Sequence, residues 1–205
     1  MSMKNRHVLR EAVRHLILII LALYTLAPLL FLFVNAFKSN NEIIASPVAL
    51  PEHWTLQYIK TAMEAINFGK ALGLTFIITF FSILLLVIVS SFAAWAMVRS
   101  KTILSNIVFL CFTAAMLVPF QSLMYPLLSV FEKMGLKNVQ GLILMYGGFG
   151  LSMSVFLYHG FIKSVPASLE EAAVLDGANL FQMFFKVVFP LLKGTTVTVI
   201  VLNGM

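Results

Sequence analysis

Residues able to do chemistry are few in this chain and unevenly placed. Its 205 residues include 14 Lys or Arg, 8 Asp or Glu, four His and one Cys. Three of the acids, Glu170, Glu171 and Asp176, gather just before Gly177 in the stretch from Ser168 to Pro190, SLEEAAVLDGANLFQMFFKVVFP. The histidines His7, His15, His53 and His159 fall on different loops or helix ends without zinc-ligand spacing. Cys111 stands alone inside an apolar run, which leaves no disulfide framework and no cysteine metal site. No phosphate-cradling G-x-x-x-x-G-K-[ST] occurs; Gly69-Lys70-Ala71 lacks both the leading glycine and the hydroxyl residue. Neither a Ser/His/Asp nor a Cys/His pattern marks a nucleophile. The expectation is a chain with no catalytic residue, metal or cofactor, and no enzyme by itself.

The elements that must hold the acidic segment are membrane helices. Composition is 60% hydrophobic and 11% charged, against roughly 25% charged in soluble domains. Charge-free runs span His15–Phe37, Ala71–Val98, Thr102–Phe131 and Asn138–Ile162. Each exceeds the ~18 to 20 residues that cross ~30 Å of hydrocarbon. Backbone polar groups in lipid demand helices or a closed barrel, and the ten-residue alternation of a barrel is missing. The fold class expected is all-α: one polytopic bundle, residues 1–205, with transmembrane helices at 16–37, 71–97, 103–124 and 139–162. A partial fifth covers 194–205, after a loop at 163–193. Pro28 is expected to kink the first helix. The segment from Lys38 to Lys70 is expected to form a small interfacial cap anchored by Trp54 and Tyr58. Gly147, Gly148 and Gly150 suit close helix contact or a bend.

Basic residues cluster at helix ends, the membrane-orientation pattern rather than a nucleic-acid surface. With the N-terminus in the cytoplasm, nine basic residues lie inside (Lys4, Arg6, Arg10, Arg14, Arg99, Lys101, Lys163, Lys186, Lys193). Five lie outside (Lys38, Lys60, Lys70, Lys133, Lys137), with four acids on each side. This bias puts Ser168–Pro190 in the cytoplasm. Gly194–Met205 is uncharged and reaches only about 18 Å as a helix. Its terminal carboxylate would then lie in hydrocarbon, so a piece of a longer protein is expected.

The four full spans carry no Asp, Glu, Lys or Arg in their interiors, which argues against a self-powered ion-coupled carrier. Milder groups, Asn35, Thr75, Thr79, Ser82, Ser90, Ser91, Thr113, Gln121, Ser122, Ser152 and Ser154, either line a path for an uncharged polar solute or pack helices. Gln121, large and polar beside Pro119 near an outer helix end, is the leading pathway-lining candidate.

Within the acidic segment, Ser168-Leu169-Glu170-Glu171 matches a capping box, and both glutamates oppose the helix dipole. Ala172 and Ala173 keep the helix thin, and Asp176-Gly177 supplies a left-handed stop. Leu180, Phe184 and Val188 then align, as do Phe181, Phe185 and Phe189, with Asn179, Gln182 and Lys186 as a polar stripe. Two short helices meeting at Gly177 are expected. Pattern alone allows either insertion into a groove of another protein or a helix lying on lipid headgroups.

Glu171-Ala172-Ala173, Asp176-Gly177-Ala178 and Phe189-Pro190-Leu191 resemble the cytoplasmic EAA loop of binding-protein-dependent ABC importer permeases. Phe92-Ala93-Ala94-Trp95-Ala96 with Arg99, Val118-Pro119-Phe120-Gln121, Gly135-Leu136-Lys137-Asn138 and Ser164-Val165-Pro166 resemble the carbohydrate-uptake, maltose-type branch. The resemblance covers nearly the whole chain. Trp95 stands where that branch more often has tyrosine, and such permeases usually have six membrane helices. The resemblance implies an ATPase-coupling set of Glu171, Ala172, Ala173, Asp176 and Gly177. Glu171 would pair with a basic residue of the ATPase, the alanines would seat the helix in its cleft, and Gly177 would form the bend. It also implies a dimeric ATP-binding subunit, a second permease subunit in a hetero-dimer, and an extracytoplasmic solute-binding protein. Membrane lipid would surround the chain, and no nucleic acid is a partner. The alternative functions are a self-contained channel or ion-coupled secondary carrier, and a membrane scaffold.

Overall fold

The computed structural model describes the backbone from Met3 to Met205 and the side chains from Arg10 onward. Lys4, Arg6 and His7, named above, lie outside the described side chains. Among the described residues every regular element is helical, as expected for an all-α membrane protein. The chain divides into a unit ending at Ala71 and a unit from Leu72 to Met205.

In the first unit, α1 spans Met3–Asn35 and keeps Pro28 inside a single helix. It starts well before the expected residue 16 because charged residues are good helix formers in water. Arg14 pairs with Glu11 at 3.1 Å one turn away. The interfacial segment contains α2 (Asn40–Ala45) and α3 (Gln57–Ala65). Ser39 caps α2 by accepting the Glu42 N–H, while the Glu42 carboxylate accepts the Ser39 N–H at 2.8 Å. That backbone amide holds the Glu42 carboxyl below the usual glutamate range, so the cap stays charged at neutral pH. Lys38 is buried, its ammonium donating to the carbonyls of Ser46 (2.9 Å) and Pro47 (3.4 Å). Trp54, expected as an anchor, packs its ring 5.2 Å from that of Phe37.

From Phe68 to Ser100 runs α4, three residues longer at each end than the expected 71–97. The next expected helix, 103–124, is corrected: the chain forms α5 (Ile103–Ala115) and α6 (Phe120–Lys133), bent by 106° at their junction. Pro119 is the physical reason. It donates no N–H, and its ring drives the preceding residue out of the helical region. Pro119 itself is extended, at φ −66° and ψ 135°. α7 occupies Val139–Ile162, as expected, with the Asn138 side chain accepting the Gly141 N–H. It is one unbroken helix, and two of these three glycines serve close contact. A Cβ at Gly150 would overlap the Asn203 side chain and crowd Leu86, and one at Gly147 would lie 3.0 Å from Leu85, whereas Gly148 faces open space.

Beyond α7 come α8 (Ser168–Leu175), α9 (Leu180–Met183), a π-helical turn at Phe184–Val188, α10 (Phe189–Leu191) and α11 (Lys193–Gly204). The core of this unit joins Leu86 and Trp95 of α4 to Val155, Tyr158 and Ile162 of α7. Phe184, Val188, Leu192 and Val199 complete it. Three described helices are individually long and apolar enough to cross a membrane: Arg10–Asn35, Phe68–Ser100 and Val139–Ile162. Two bent pairs, α5 with α6 and Leu180–Leu191 with α11, meet the same test jointly.

Candidate functional site

The acidic segment's helix starts one residue earlier than its serine suggests. Ala167 is already helical (φ −63°, ψ −25°), and its carbonyl accepts the N–H groups of Glu170 and Glu171. Ser168 is therefore the first residue inside α8, and the expected capping box with Glu171 does not form. A capping serine needs extended backbone; here Pro166, preset near the helical φ, begins the turn upstream. The box exists one element later. Asn179 accepts the Gln182 N–H at 2.9 Å, and Gln182 accepts the Asn179 N–H at 3.0 Å.

Gly177 closes α8 as expected, at φ +80°. Its N–H reaches the Val174 carbonyl at 3.0 Å, and the Ala178 N–H reaches that of Ala173 at 2.9 Å. This pair of bonds is the Schellman stop, which places its left-handed residue where glycine alone avoids a Cβ penalty. The second helix is not uniformly α. Pro190 cannot donate to the Lys186 carbonyl and would crowd it. The turn from Phe184 to Val188 widens instead, with the Phe189 N–H bonded to the Phe184 carbonyl five residues back. Phe184 and Val188 are buried as their alignment suggested, whereas Leu180 is exposed.

One helical turn positions two glutamates oppositely, because successive residues on an α-helix are ~100° apart. Glu170 points inward and is 7% exposed. Its Oε1 accepts from Arg99 Nε (2.8 Å) and Nη2 (2.6 Å), and its Oε2 accepts from Trp95 Nε1 (3.0 Å). Arg99 Nη2 also donates to the Val165 carbonyl at 3.0 Å. Charge-assisted bonds of this kind are short and strong. The Trp95 ring lies 5.3 Å from Phe184, and Phe92 lies 4.9 Å from Phe184, so aromatic packing seals one side of the carboxylate's pocket.

Glu171, Ala172, Asp176 and Gly177 are exposed, while Ala173 is buried beside Glu170 on the inner face. Around the exposed set lie Leu169, Val174, Leu175, Leu180 and Phe181, all solvent-facing in this chain. An exposed carboxylate flanked by exposed apolar side chains suits a groove of another protein or a lipid surface. The Glu170 contacts were not anticipated from the sequence. Their signal was there: Trp95 and Arg99 are four residues apart at the end of an apolar helix, two donors on one face that need an acceptor.

The polar groups along the helices sort into two roles. Ser90 and Ser91 are buried and donate to carbonyls of their own helix, those of Leu86 and Val87, which is packing. Thr75, Thr79 and Ser82 line a groove of about 560 Å³ with Tyr146, Gly150 and Asn203. Ser82 donates to the Ile143 carbonyl at 3.2 Å, and Asn203 donates to Ser154 at 3.4 Å. None of the groove's lining side chains is charged. Gln121 is exposed at the second position of α6 and does not line this groove. His159 stacks on Phe109 with centroids 3.6 Å apart, and no three His, Cys, Asp or Glu gather to hold a metal among the described residues.

Residues 86–205 match the family described as the binding-protein-dependent transport system inner membrane component. A probable starch degradation products transport system permease of Thermoanaerobacterium thermosulfurigenes is 43% identical over 91% of this chain and 68% of its own length. The multiple sugar-binding transport system permease of Streptococcus mutans is 31% identical over 99% of this chain and 74% of its own. The melibiose/raffinose/stachyose import permease of Bacillus subtilis is 33% identical over 86% and 64%. The chain thus spans roughly two thirds of the length of these relatives. In fold it is similar to a bacterial ABC transporter involved in the import of the acidic polysaccharide alginate, with a TM-score of 0.79 at 24% identity. That match covers 100% of this chain and 71% of the other. A self-contained channel or ion-coupled carrier is not favoured by these relationships. The chain belongs to the binding-protein-dependent inner membrane components, the multi-pass permease subunits of ABC importers, and is not an enzyme.

Proposed function

We propose that this permease carries an oligosaccharide and takes its drive from a separate ATPase through α8. The observation that carries the reading is the sidedness of that helix. Glu170 and Ala173 bind it to its own chain, leaving Glu171, Ala172, Asp176, Gly177 and the flanking apolar residues for a partner. Glu171 pairs with a basic residue of the ATP-binding subunit, Ala172 lets the helix seat closely, and Gly177 sets the bend to α9. Ala173 acts by allowing α8 to approach its own bundle. ATP-driven closure of the ATPase dimer moves α8 and switches the membrane helices between outward- and inward-facing states, which the nucleotide binds unequally.

The relatives' printed cargoes, starch degradation products, multiple sugars and melibiose, raffinose and stachyose, support a neutral sugar. So does a mainly apolar groove whose polar side chains, Thr75, Thr79, Ser82, Tyr146 and Asn203, are uncharged. α1, α4, the bent pair α5–α6 and α7 cross the membrane, α11 begins a fifth crossing, and the N-terminus and residues 163–193 lie in the cytoplasm. A second permease subunit completes the path as a hetero-dimer, and an extracytoplasmic solute-binding protein delivers the sugar. Gln121 lies near the outer end of this path.

The test uses the full-length permease in its complete transporter. Glu171→Ala is expected to lower sugar uptake and binding-protein-stimulated ATP hydrolysis by roughly tenfold, the effect of losing a charge-assisted contact, while membrane insertion is kept. Unchanged uptake together with unchanged association of the ATPase would contradict the coupling role.

A further inference from the structure

We infer that Glu170, Arg99 and Trp95 form the internal link that makes α4 follow α8, and that coupling requires this link as well as the docking contact. The inference rests on the proposed docking of α8 but concerns the opposite face of that helix. Docking alone moves only eight residues, Ser168–Leu175. For the membrane path to respond, the displacement must reach a helix that lines it. α4 is that helix: its end carries Trp95 and Arg99, and its middle carries Thr79 and Ser82 of the polar groove.

Three features suit the cluster to transmit motion rather than merely fill space. Its bonds converge on one carboxylate from two residues one turn apart on α4, at 2.6 to 3.0 Å, which fixes orientation as well as distance. Arg99 is also tied to the Val165 carbonyl ahead of α8, so it grips the connection from α7 as well as α8 itself. Trp95 and Phe92 press on Phe184 of the π-helical turn, so the segment after Gly177 moves against the same surface. From Arg99 to Ser82 a rigid helix extends roughly 25 Å, long enough to carry a tilt from the α8 end to the groove. Glu170, Arg99 and Trp95 are positioning residues: none needs to touch sugar or nucleotide.

The experiment compares Glu170→Gln, Arg99→Gln, Arg99→Lys and Trp95→Phe in the full-length transporter reconstituted in lipid. It reads ATPase-subunit retention and sugar carried per ATP hydrolysed. Glu170→Gln preserves shape but loses the charge pair. It is expected to keep the ATPase bound while sugar carried per ATP falls about tenfold, the scale of a lost charge-assisted bond. Arg99→Gln should match it, and Arg99→Lys should restore part of the coupling because the charge returns without the fork. Trp95→Phe, which keeps an aromatic ring but loses the indole N–H, should cost roughly threefold. Spin labels at Leu169 and Val89 provide a second measurement. Their separation should hold constant between ATP-free and ATP-bound states in the parent and change in Glu170→Gln. Native sugar per ATP in Glu170→Gln and Arg99→Gln would overturn the inference, as would equal loss in Arg99→Gln and Arg99→Lys, which would mark packing alone. The companion Glu171→Ala separates the two readings, since it is expected to release the ATPase. A Glu170→Gln complex that stays assembled yet uncoupled supports the link, and one that falls apart as Glu171→Ala does overturns it.

Discussion

Replacing Gly177 with proline is expected to reduce coupled sugar uptake on the order of a hundredfold. Gly177 stands at φ +80° and donates its N–H to the Val174 carbonyl in the stop that ends α8. Proline is locked near φ −65° and has no N–H, so it can satisfy neither requirement; an incompatible proline costs ~3 kcal/mol or more. Each ~1.4 kcal/mol is a factor of ten in population, so the correctly turned loop becomes about a hundredfold rarer. The milder Gly177→Ala forces an L-residue into the left-handed region at about 1 to 2 kcal/mol, and its uptake should fall roughly tenfold. Open space around Gly177 means that neither effect comes from a side-chain clash. Uptake by the full transporter at matched membrane levels checks both. Equal activity of the two variants would argue that the turn's backbone conformation is not what matters.

Glu170→Ala is expected to destabilise the chain by about 2 to 3 kcal/mol, far more than the same change at its neighbour Glu171. The alanine removes the acceptor for three donated bonds and leaves Trp95 Nε1 buried with no replacement. The Arg99 side chain keeps 23% exposure, so water takes up part of its lost bonding and the lower end of the range for a broken buried pair applies. Glu171→Ala should cost well under 1 kcal/mol, because an exposed glutamate loses only its favourable place in the first helical turn. The difference is measurable as a shift in the unfolding midpoint when purified protein is titrated with a denaturing detergent. Equal midpoints for the two alanine variants would contradict the inward assignment of Glu170.

Long features governed by one physical rule were legible in the sequence. α7 starts and stops where a charge-free run meets an asparagine cap and a lysine, so hydropathy and the cap mark its ends together. The turn at Gly177 was legible for a similar reason, since aspartate-glycine after a short helical pattern leaves few backbone choices. The break between α5 and α6 was not read correctly. Hydropathy continues smoothly across it, and the local steric rule of Pro119 overrides hydropathy only at the residues beside it. The cap at Ser168 failed because the serine-to-glutamate spacing is necessary but not sufficient: backbone upstream, set by Pro166, decides whether the serine is outside the helix or in it. Glu170 and Glu171 are chemically identical neighbours, and only the three-dimensional approach of α4 tells which one turns inward. Gln121, singled out by its type and its place beside Pro119, is exposed on α6 and is not among the residues of the polar groove.

The most direct measurement of the central claim is photo-crosslinking from α8 in the assembled transporter. Leu175, 88% exposed at the end of α8, is replaced by a photoreactive residue in the full-length permease. Irradiation in native membranes is expected to join it to the ATP-binding subunit, with a yield that changes when ATP binds. Crosslinks to lipid alone, in a complex shown to contain the ATPase, would contradict the assignment of α8 as the helix that the ATPase moves.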